Sequence, residues 1–148
     1  MSERYLDERT FATGEVVFAE GDTTSEMFIV QEGTVALTKT VAGREIFVGT
    51  QERGDFFGEM SLLTGQPRQA TCVAMAPTRL LAIRSGELLM KLRRDPTLAL
   101  EMVAQMSRRM AYLEEQLVRM SEHQLENRHE IKKAIARAEF HNDDDSQR

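Results

Sequence analysis

The chain has 148 residues, the size of one ordinary domain, and a formal net charge of −5, which argues against a protein that binds nucleic acid through many phosphate contacts. Hydrophobic residues make up 41% and charged residues 29%, as is typical of soluble globular proteins. The N-terminal residues MSERYLDERTF lack the apolar run of a secretory signal, and no stretch approaches the roughly 20 apolar residues of a membrane span. We therefore expect a cytoplasmic protein that does not enter the membrane.

Residues 1–95 are predicted to form a domain of short β-strands. Brief runs rich in Val, Ile, Phe and Thr are GEVVFAEGD, MFIVQEG, TVALTK, EIFVGT, ATCVAM and RLLAIR. Turn signals separate them at Gly21-Asp22, Gly33, Ala42-Gly43 and Gly54-Asp55. This spacing predicts an antiparallel sandwich or roll. The single cysteine, Cys72, excludes an internal disulfide and is expected to pack inside this fold.

Two helices are predicted after the last strand. Ser85 is a candidate N-cap for a short helix whose apolar patch, Leu88, Leu89 and Leu92, stops before Asp95-Pro96. A second helix is predicted from Pro96 to about Phe140, since no Gly or Pro follows. At about 1.5 Å per residue it would be a rod of roughly 65 to 70 Å, longer than one small domain can cover. The charged residues 141–148 are predicted to be a disordered acidic tail.

The long helix, residues 96–140, carries a heptad pattern that predicts a coiled-coil homodimer through residues 99–138. The seam positions alternate by four and three: Ala99, Val103, Met106, Met110, Leu113, Leu117, Met120, Gln124, Asn127, Ile131, Ala134 and Ala138. The two amides, Gln124 and Asn127, would cost stability while specifying register and strand number. The alternative is a helix that folds back on its own domain.

The segment FGEMSLLTGQPRQAT, residues 57–71, combines features that suit an anionic ligand. Gly58 lets the backbone approach a ligand closely, and a short helix starting near Glu59 would point free amides outward. Arg68 adds a guanidinium fork that matches phosphate oxygens. Since a carboxylate beside a phosphate is repulsive without its own partner, Glu59 calls for a sugar hydroxyl. A ligand with one phosphate and a nearby ribose explains both charges, whereas a surface salt bridge between them explains neither Gly58 nor the spacing.

This segment resembles the phosphate-binding cassette of the cyclic nucleotide-binding domain family. The matching positions are Phe57-Gly58-Glu59 and Arg68-Gln69-Ala70-Thr71. The resemblance covers about residues 11–120, because GEVVFAEGD, MFIVQEGTV and GDFFGE are similar to the family's strands, and DPTLALEMVAQMSRRM is similar to the hinge and dimer helix of bacterial catabolite activator proteins. It implies a mainly β fold with α-helices: a jelly-roll-like antiparallel β-roll followed by a long C-terminal dimerisation helix.

The resemblance also implies roles for individual residues. Glu59 would accept a hydrogen bond from the ribose 2′-hydroxyl, and Arg68 would pair with the cyclic phosphate. The amides of Gly58, Met60 and Ala70 would surround the sugar-phosphate. Leu37, Val48 and Gly49 would form the pocket wall around the base, although core packing explains Leu37 and Val48 better. Arg109 matches a position near the ligand in the bacterial activators.

Departures from the family pattern leave the base open. Gln69 stands where many members have Ser, Thr or Ala, and the absence of a hydroxyl there favours cyclic AMP (cAMP) over cyclic GMP (cGMP). The positions that match the adenine-reading pair of the bacterial activators are Leu113 and Glu114, so that route to adenine is absent. Glu114 would suit either an adenine amino group or the guanine edge, or it lies on a solvated helix face.

Other functions find less support in the residues. The histidines, His123, His129 and His141, do not share one helical face, so neither a metal site nor a catalytic site is predicted. No helix-turn-helix follows the dimer helix, so direct DNA binding is not expected. The sequence therefore predicts a dimeric cyclic nucleotide sensor, without a cofactor, that signals to an unknown protein partner. The alternatives are a ligand-independent coiled-coil scaffold and the regulatory half of a DNA-binding regulator.

Overall fold

The computed structural model describes residues 7–145, with side chains for residues 7–140. Strands and one short helix come first, and two helices follow. The elements are β1 Asp7–Phe11, β2 Val16–Phe18, β3 Met27–Glu32, β4 Thr34–Val41, β5 Arg44–Glu52, β6 Phe56–Phe57, α1 Glu59–Thr64, β7 Thr71–Ala74, β8 Thr78–Ile83, α2 Ser85–Arg94 and α3 Pro96–Asp145.

The strands form two antiparallel sheets with four strands each. One sheet has the order β1-β8-β3-β6 and the other the order β2-β7-β4-β5. All the strand runs predicted from sequence lie in these sheets, which confirms the predicted antiparallel β fold with a long C-terminal helix. The sequence pattern does not predict β1 or β6. The sequence of β1, DERTF, is too polar to signal a strand, and its pairing with β8 decides its conformation.

The core of the β domain lies between the sheets and is built around three phenylalanines. The rings of Phe18, Phe28 and Phe57 have centroids 5.4 to 6.0 Å apart, and pairs of this kind contribute about 0.5–1.5 kcal/mol each beyond their buried area. Cys72 lies in the same cluster and is fully buried. Because burial raises the pKa of Cys72 to about 12, its thiol stays protonated at neutral pH and serves in packing.

The short helix α2 occupies the predicted residues, but its N-cap is Arg84 and not Ser85. Arg84 is the residue with extended backbone, φ −91° and ψ 163°, and its N–H donates to Glu87 Oε2 at 3.4 Å. Of the predicted apolar patch, Leu88 is buried whereas Leu89 is exposed.

The long helix α3 begins at Pro96, as predicted, and continues to Asp145. Residues 141–145 are therefore helical and not part of a disordered tail, since no glycine or proline interrupts the helix there. The rest of the predicted tail, residues 146–148, lies outside the described residues. No helix in the described part of the chain is long and apolar enough to cross a membrane.

The chain divides into two compact units, residues 1–102 and residues 103–148. The sequence predicts this boundary after Asp95. The first turns of α3 belong to the first unit, where Met102 is buried.

Candidate functional site

Gly58 and Gly65 bracket the short helix α1. Gly58 has φ 78° and precedes the helix, while Gly65 has φ 72° and ends it with an N–H bond to Ser61 O of 3.0 Å. Both are in the left-handed region that favours glycine. Gly58 is also crowded, because a Cβ there would lie 2.8 Å from Arg68 Nη1 and 3.1 Å from Glu26 O. The glycine therefore lets the backbone meet the arginine directly.

Arg68 is the centre of the site. The residue is 3% exposed, and its guanidinium carbon lies 4.2 Å from the Phe18 ring centroid. Three hydrogen bonds hold it: Nε donates to Thr24 Oγ1 at 3.1 Å, Nη1 to Gly58 O at 3.1 Å, and Nη2 to Glu26 O at 2.6 Å. Its position is thus set by three segments of the first unit: β2, residues 24–26 and the turn at Gly58.

The electrostatics of Arg68 are those of a buried cation held by neutral groups. Burial lowers the pKa of Arg68 from its ordinary value, and the nearby Glu26, Cys72 and Asp22 act in the opposite direction. A guanidinium nevertheless stays charged at neutral pH. Each of its three hydrogen bonds ends on a carbonyl or hydroxyl oxygen. A buried charge without an ionic hydrogen-bond partner strongly favours an anionic ligand.

The other predicted cassette residues follow in chain order around Arg68. Glu59 is the first residue of α1 and is half-buried, and Met60 is exposed. Gln69 is exposed, with Nε2 3.4 Å from both Gln66 Oε1 and Pro67 O, and Ala70 is half-buried. The structure brings Gly58 and Arg68 into contact, while the ligand roles of Glu59, Met60, Gln69 and Ala70 stay predictions.

The predicted pocket wall lies on the hairpin of β4 and β5. Leu37 pairs with Gly49 on one side and with Cys72 on the other, and its side chain packs against the core cluster. The register shifts between Leu37 and Thr38, so that Val48 is the extra residue of a bulge and is 52% exposed. Leu37 therefore does serve as a core residue, whereas the expectation that Val48 is a core residue is wrong. A role of these three residues in base binding stays a prediction.

The predicted ligand residues of the long helix belong to the second unit. Arg109 is half-buried, Leu113 is 64% exposed and Glu114 is exposed. Their assignment to the ligand stays a prediction.

Four residues that hold the site were not predicted from the sequence: Phe18 and Phe28 under the guanidinium, and Thr24 and Glu26 as its acceptors. Residues 22–26 have no regular secondary structure and hence no hydrophobic period from which to infer contacts.

Replacing Gly58 with alanine tests whether the close approach is required. We expect Gly58→Ala to lower the free energy of unfolding by about 1–3 kcal/mol more than Gly65→Ala does, because both carry the cost of positive φ and only Gly58 meets Arg68. Denaturation with urea measures both variants. Equal losses for the two variants would contradict the contact.

Residues 8–95 match the family model of the cyclic nucleotide-binding domain, and the chain belongs to that family. It is 44% identical over 73 residues to the cAMP-dependent protein kinase regulatory subunit of Mycosarcoma maydis, covering 49% of this chain and 14% of that protein. It is 33% identical over 125 residues to the cyclic AMP receptor protein of Thermus thermophilus, covering 84% of this chain and 58% of that protein.

The crystal structure of the Thermus thermophilus catabolite activator protein has the same fold. It superposes with a TM-score of 0.71 at 33% identity, covering 80% of this chain and 56% of that chain. The resemblance stated from the cassette residues is thereby confirmed. The chain spans 14% and 58% of the lengths of the two curated relatives named above.

Proposed function

We propose that this chain is a sensor of cAMP, in preference to cGMP, which has no catalytic activity of its own and signals through a dimeric helix to a protein partner. The observation that carries the proposal is Arg68, a buried guanidinium whose three hydrogen bonds all end on neutral oxygens beside Gly58 and Glu59. The chain's cyclic nucleotide-binding domain supplies the class of ligand.

The phosphate half of the proposal follows from the geometry of the guanidinium. A guanidinium has five N–H groups, and three of them donate to Thr24, Gly58 and Glu26. The fork therefore retains donors for the oxygens of one cyclic phosphate. Charge-assisted bonds of this type are about twice as strong as bonds between neutral groups.

Glu59 is the residue that would bind the ribose. It follows Gly58 directly, so the same backbone turn that meets Arg68 also sets the position of this carboxylate. A 2′-hydroxyl donating to Glu59 would place the sugar between the two charges. The amides of Gly58, Met60 and Ala70 would complete the contacts to the sugar-phosphate.

The proposal also includes a choice of base, adenine over guanine. Gln69 offers no hydroxyl beside the phosphate, and two relatives carry cAMP or cyclic AMP in their names. Leu37, Val48 and Gly49 would line the base on the β side. Arg109, Leu113 and Glu114 would contribute from α3, where Glu114 would also suit guanine.

The dimer is supported by the seam residues of α3. Val103, Met110, Leu113, Leu117, Met120 and Ile131 are each between 58% and 65% exposed in the single chain. Apolar side chains at this spacing are characteristic of a helix that packs against a second helix. We therefore assign residues 99–138 to a parallel homodimer, which acts in the cytoplasm on a protein partner.

Calorimetric titration of the wild-type chain tests the proposal. We expect saturable binding of cAMP, weaker binding of cGMP, and no binding of cyclic dinucleotides or of linear 5′-AMP, which carries a second phosphate charge and lacks the cyclic ester. Absence of binding to either cyclic mononucleotide would refute the sensor function. Preference for cGMP would refute only the assignment of the base.

A further inference from the structure

Glu26 joins the two arginines that approach the aromatic core, Arg9 and Arg68. Its carboxylate faces Arg9, with Nη1 donating to Oε2 at 3.0 Å and Nη2 to Oε1 at 3.1 Å. Its backbone carbonyl faces Arg68, with Nη2 donating at 2.6 Å. The carboxylate of Glu26 is thus bonded to Arg9, and only the neutral backbone carbonyl of Glu26 bonds to Arg68.

Arg9 is anchored on β1 before it reaches Glu26. Nε donates to Asp7 Oδ1 at 3.2 Å and Nη2 to Asp7 Oδ2 at 2.8 Å, since residues two apart share one face of a strand. These bonds, together with those to Glu26, raise the pKa of Arg9 above its ordinary value. β1 is in turn paired along its length with β8. The Arg9 guanidinium that bonds to Glu26 is therefore held in position by Asp7 and by the paired strand β1.

Glu26 itself lies outside the sheets. It is the last residue before β3, and residues 22–26 form no strand or helix. The pairing of β3 with β8 begins at Met27, the residue after Glu26, and does not determine where the Glu26 carboxylate points. The paired bonds from Arg9 do so, because a two-point contact between arginine and carboxylate sets direction as well as energy.

A released Glu26 carboxylate would have Arg68 as a neighbour. Arg68 Nη2 already lies 2.6 Å from the backbone oxygen of Glu26, and the guanidinium carbons of Arg9 and Arg68 lie 5.9 Å and 5.8 Å from the centroid of the same Phe28 ring. The charge of Glu26 is already felt at Arg68, where it opposes the effect of burial on the pKa. A carboxylate attracts a guanidinium more strongly than a carbonyl does. Without Arg9, Glu26 would compete with a phosphate for Arg68.

We infer that Arg9 is a positioning residue for Arg68: it holds the Glu26 carboxylate aside and so leaves the charge of Arg68 to the ligand's phosphate. The inference rests on the proposed function, because it takes Arg68 as the phosphate-binding group. It assigns to β1 a role in binding although β1 would not touch the ligand.

Three variants separate this role from a role in folding: Arg9→Met, Glu26→Gln and the double variant. We expect Arg9→Met to weaken cAMP binding about tenfold, because a freed carboxylate pairs with Arg68, and Glu26→Gln to stay within about threefold of wild type. The double variant, in which residue 26 has no carboxylate to release, should regain binding to within about threefold. Arg79→Met is the matched control, since Arg79 on β8 forms an ion pair at the surface, with Nη2 3.9 Å from Glu32 Oε2.

Two results in the titrations would overturn the inference. One is unchanged binding by Arg9→Met, and the other is a double variant as weak as Arg9→Met, which is what a purely structural role predicts. The surroundings of Arg68 can also be measured without ligand, from the Arg68 Nε–Hε resonance in NMR spectra. The loss of this resonance in Arg68→Lys assigns it. We expect it to shift in Arg9→Met and to return in the double variant.

The resonance also separates the inference from the proposed function. A wild-type chain that binds neither cyclic mononucleotide would refute the sensor function, and the role of Arg9 would then be judged on the resonance alone. A resonance that Arg9→Met leaves in place would refute that role whatever the titrations show.

Discussion

Replacing Arg68 with alanine is expected to weaken binding of cAMP by about 100- to 1000-fold. Hydrogen bonds to charged groups contribute about 1.5–3 kcal/mol each. Two such bonds to a phosphate, each near the lower end of this range, would supply about 3–4 kcal/mol, at about 1.4 kcal/mol per factor of ten. The effect is large because Arg68 is 3% exposed, so that little solvent screens the charge. Isothermal titration of the variant against wild type measures the loss.

Two further variants separate the loss of phosphate binding from damage to the fold. Arg68→Lys keeps the charge and removes the fork, so its affinity should fall between those of wild type and Arg68→Ala. Arg79→Ala removes an arginine from the surface of β8 and should bind as wild type does. Each melting temperature is compared without and with saturating ligand, since a ligand at 100 times its Kd stabilises the native state by about 2.7 kcal/mol. Tight binding by a folded Arg68→Ala variant would contradict the cassette assignment.

Replacing Leu117 with glutamate is expected to convert the dimer into a monomer, with a dissociation constant raised at least about 100-fold. Leu117 lies on the heptad seam and is 65% exposed in the single chain. In a two-stranded coiled coil, the substitution removes two buried leucines, each contributing about 1.5–3 kcal/mol, and places two carboxylates opposite each other. Sedimentation equilibrium over a range of concentrations measures the change.

Val118 provides a matched control for Leu117. It is the next residue on α3, is apolar and is 56% exposed, but it lies off the seam. Val118→Glu should leave the dimer intact. Equal dissociation by both variants would contradict the register, and a monomeric wild-type chain would favour the helix that folds back on its own domain.

Much of the fold could be predicted because its signals are local. Alternating apolar runs and glycine-marked turns indicate β2–β5, β7 and β8, and the Ala42-Gly43 turn, with φ 51° and 76°, closes the β4–β5 hairpin. Pro96 similarly predicts the start of α3, and the absence of later glycine or proline predicts a long helix, although the helix ends at Asp145 and not near Phe140. These features depend on neighbours in the chain, which a sequence displays directly.

Other features could not be predicted because partners distant in the chain decide them. β1 is a strand through its pairing with β8, and its charged residues gave no sign of this. The exposed Val48 results from a bulge at Leu37 and Thr38, which a run such as EIFVGT does not reveal. The contact between Arg9 and Glu26 spans 17 residues and joins β1 to a segment without regular structure.

By itself, the sequence determined the kind of fold and the family and predicted the cassette, because glycine, glutamate and arginine at set spacings and repeated apolar patterns are properties of the chain. Only the tertiary structure decided what surrounds the cassette arginine. The acceptors of Arg68 lie 44, 42 and 10 residues away, at Thr24, Glu26 and Gly58. Hydrogen bonds depend on distances of about 3 Å in space, and only the packing of the two sheets brings these segments within that distance.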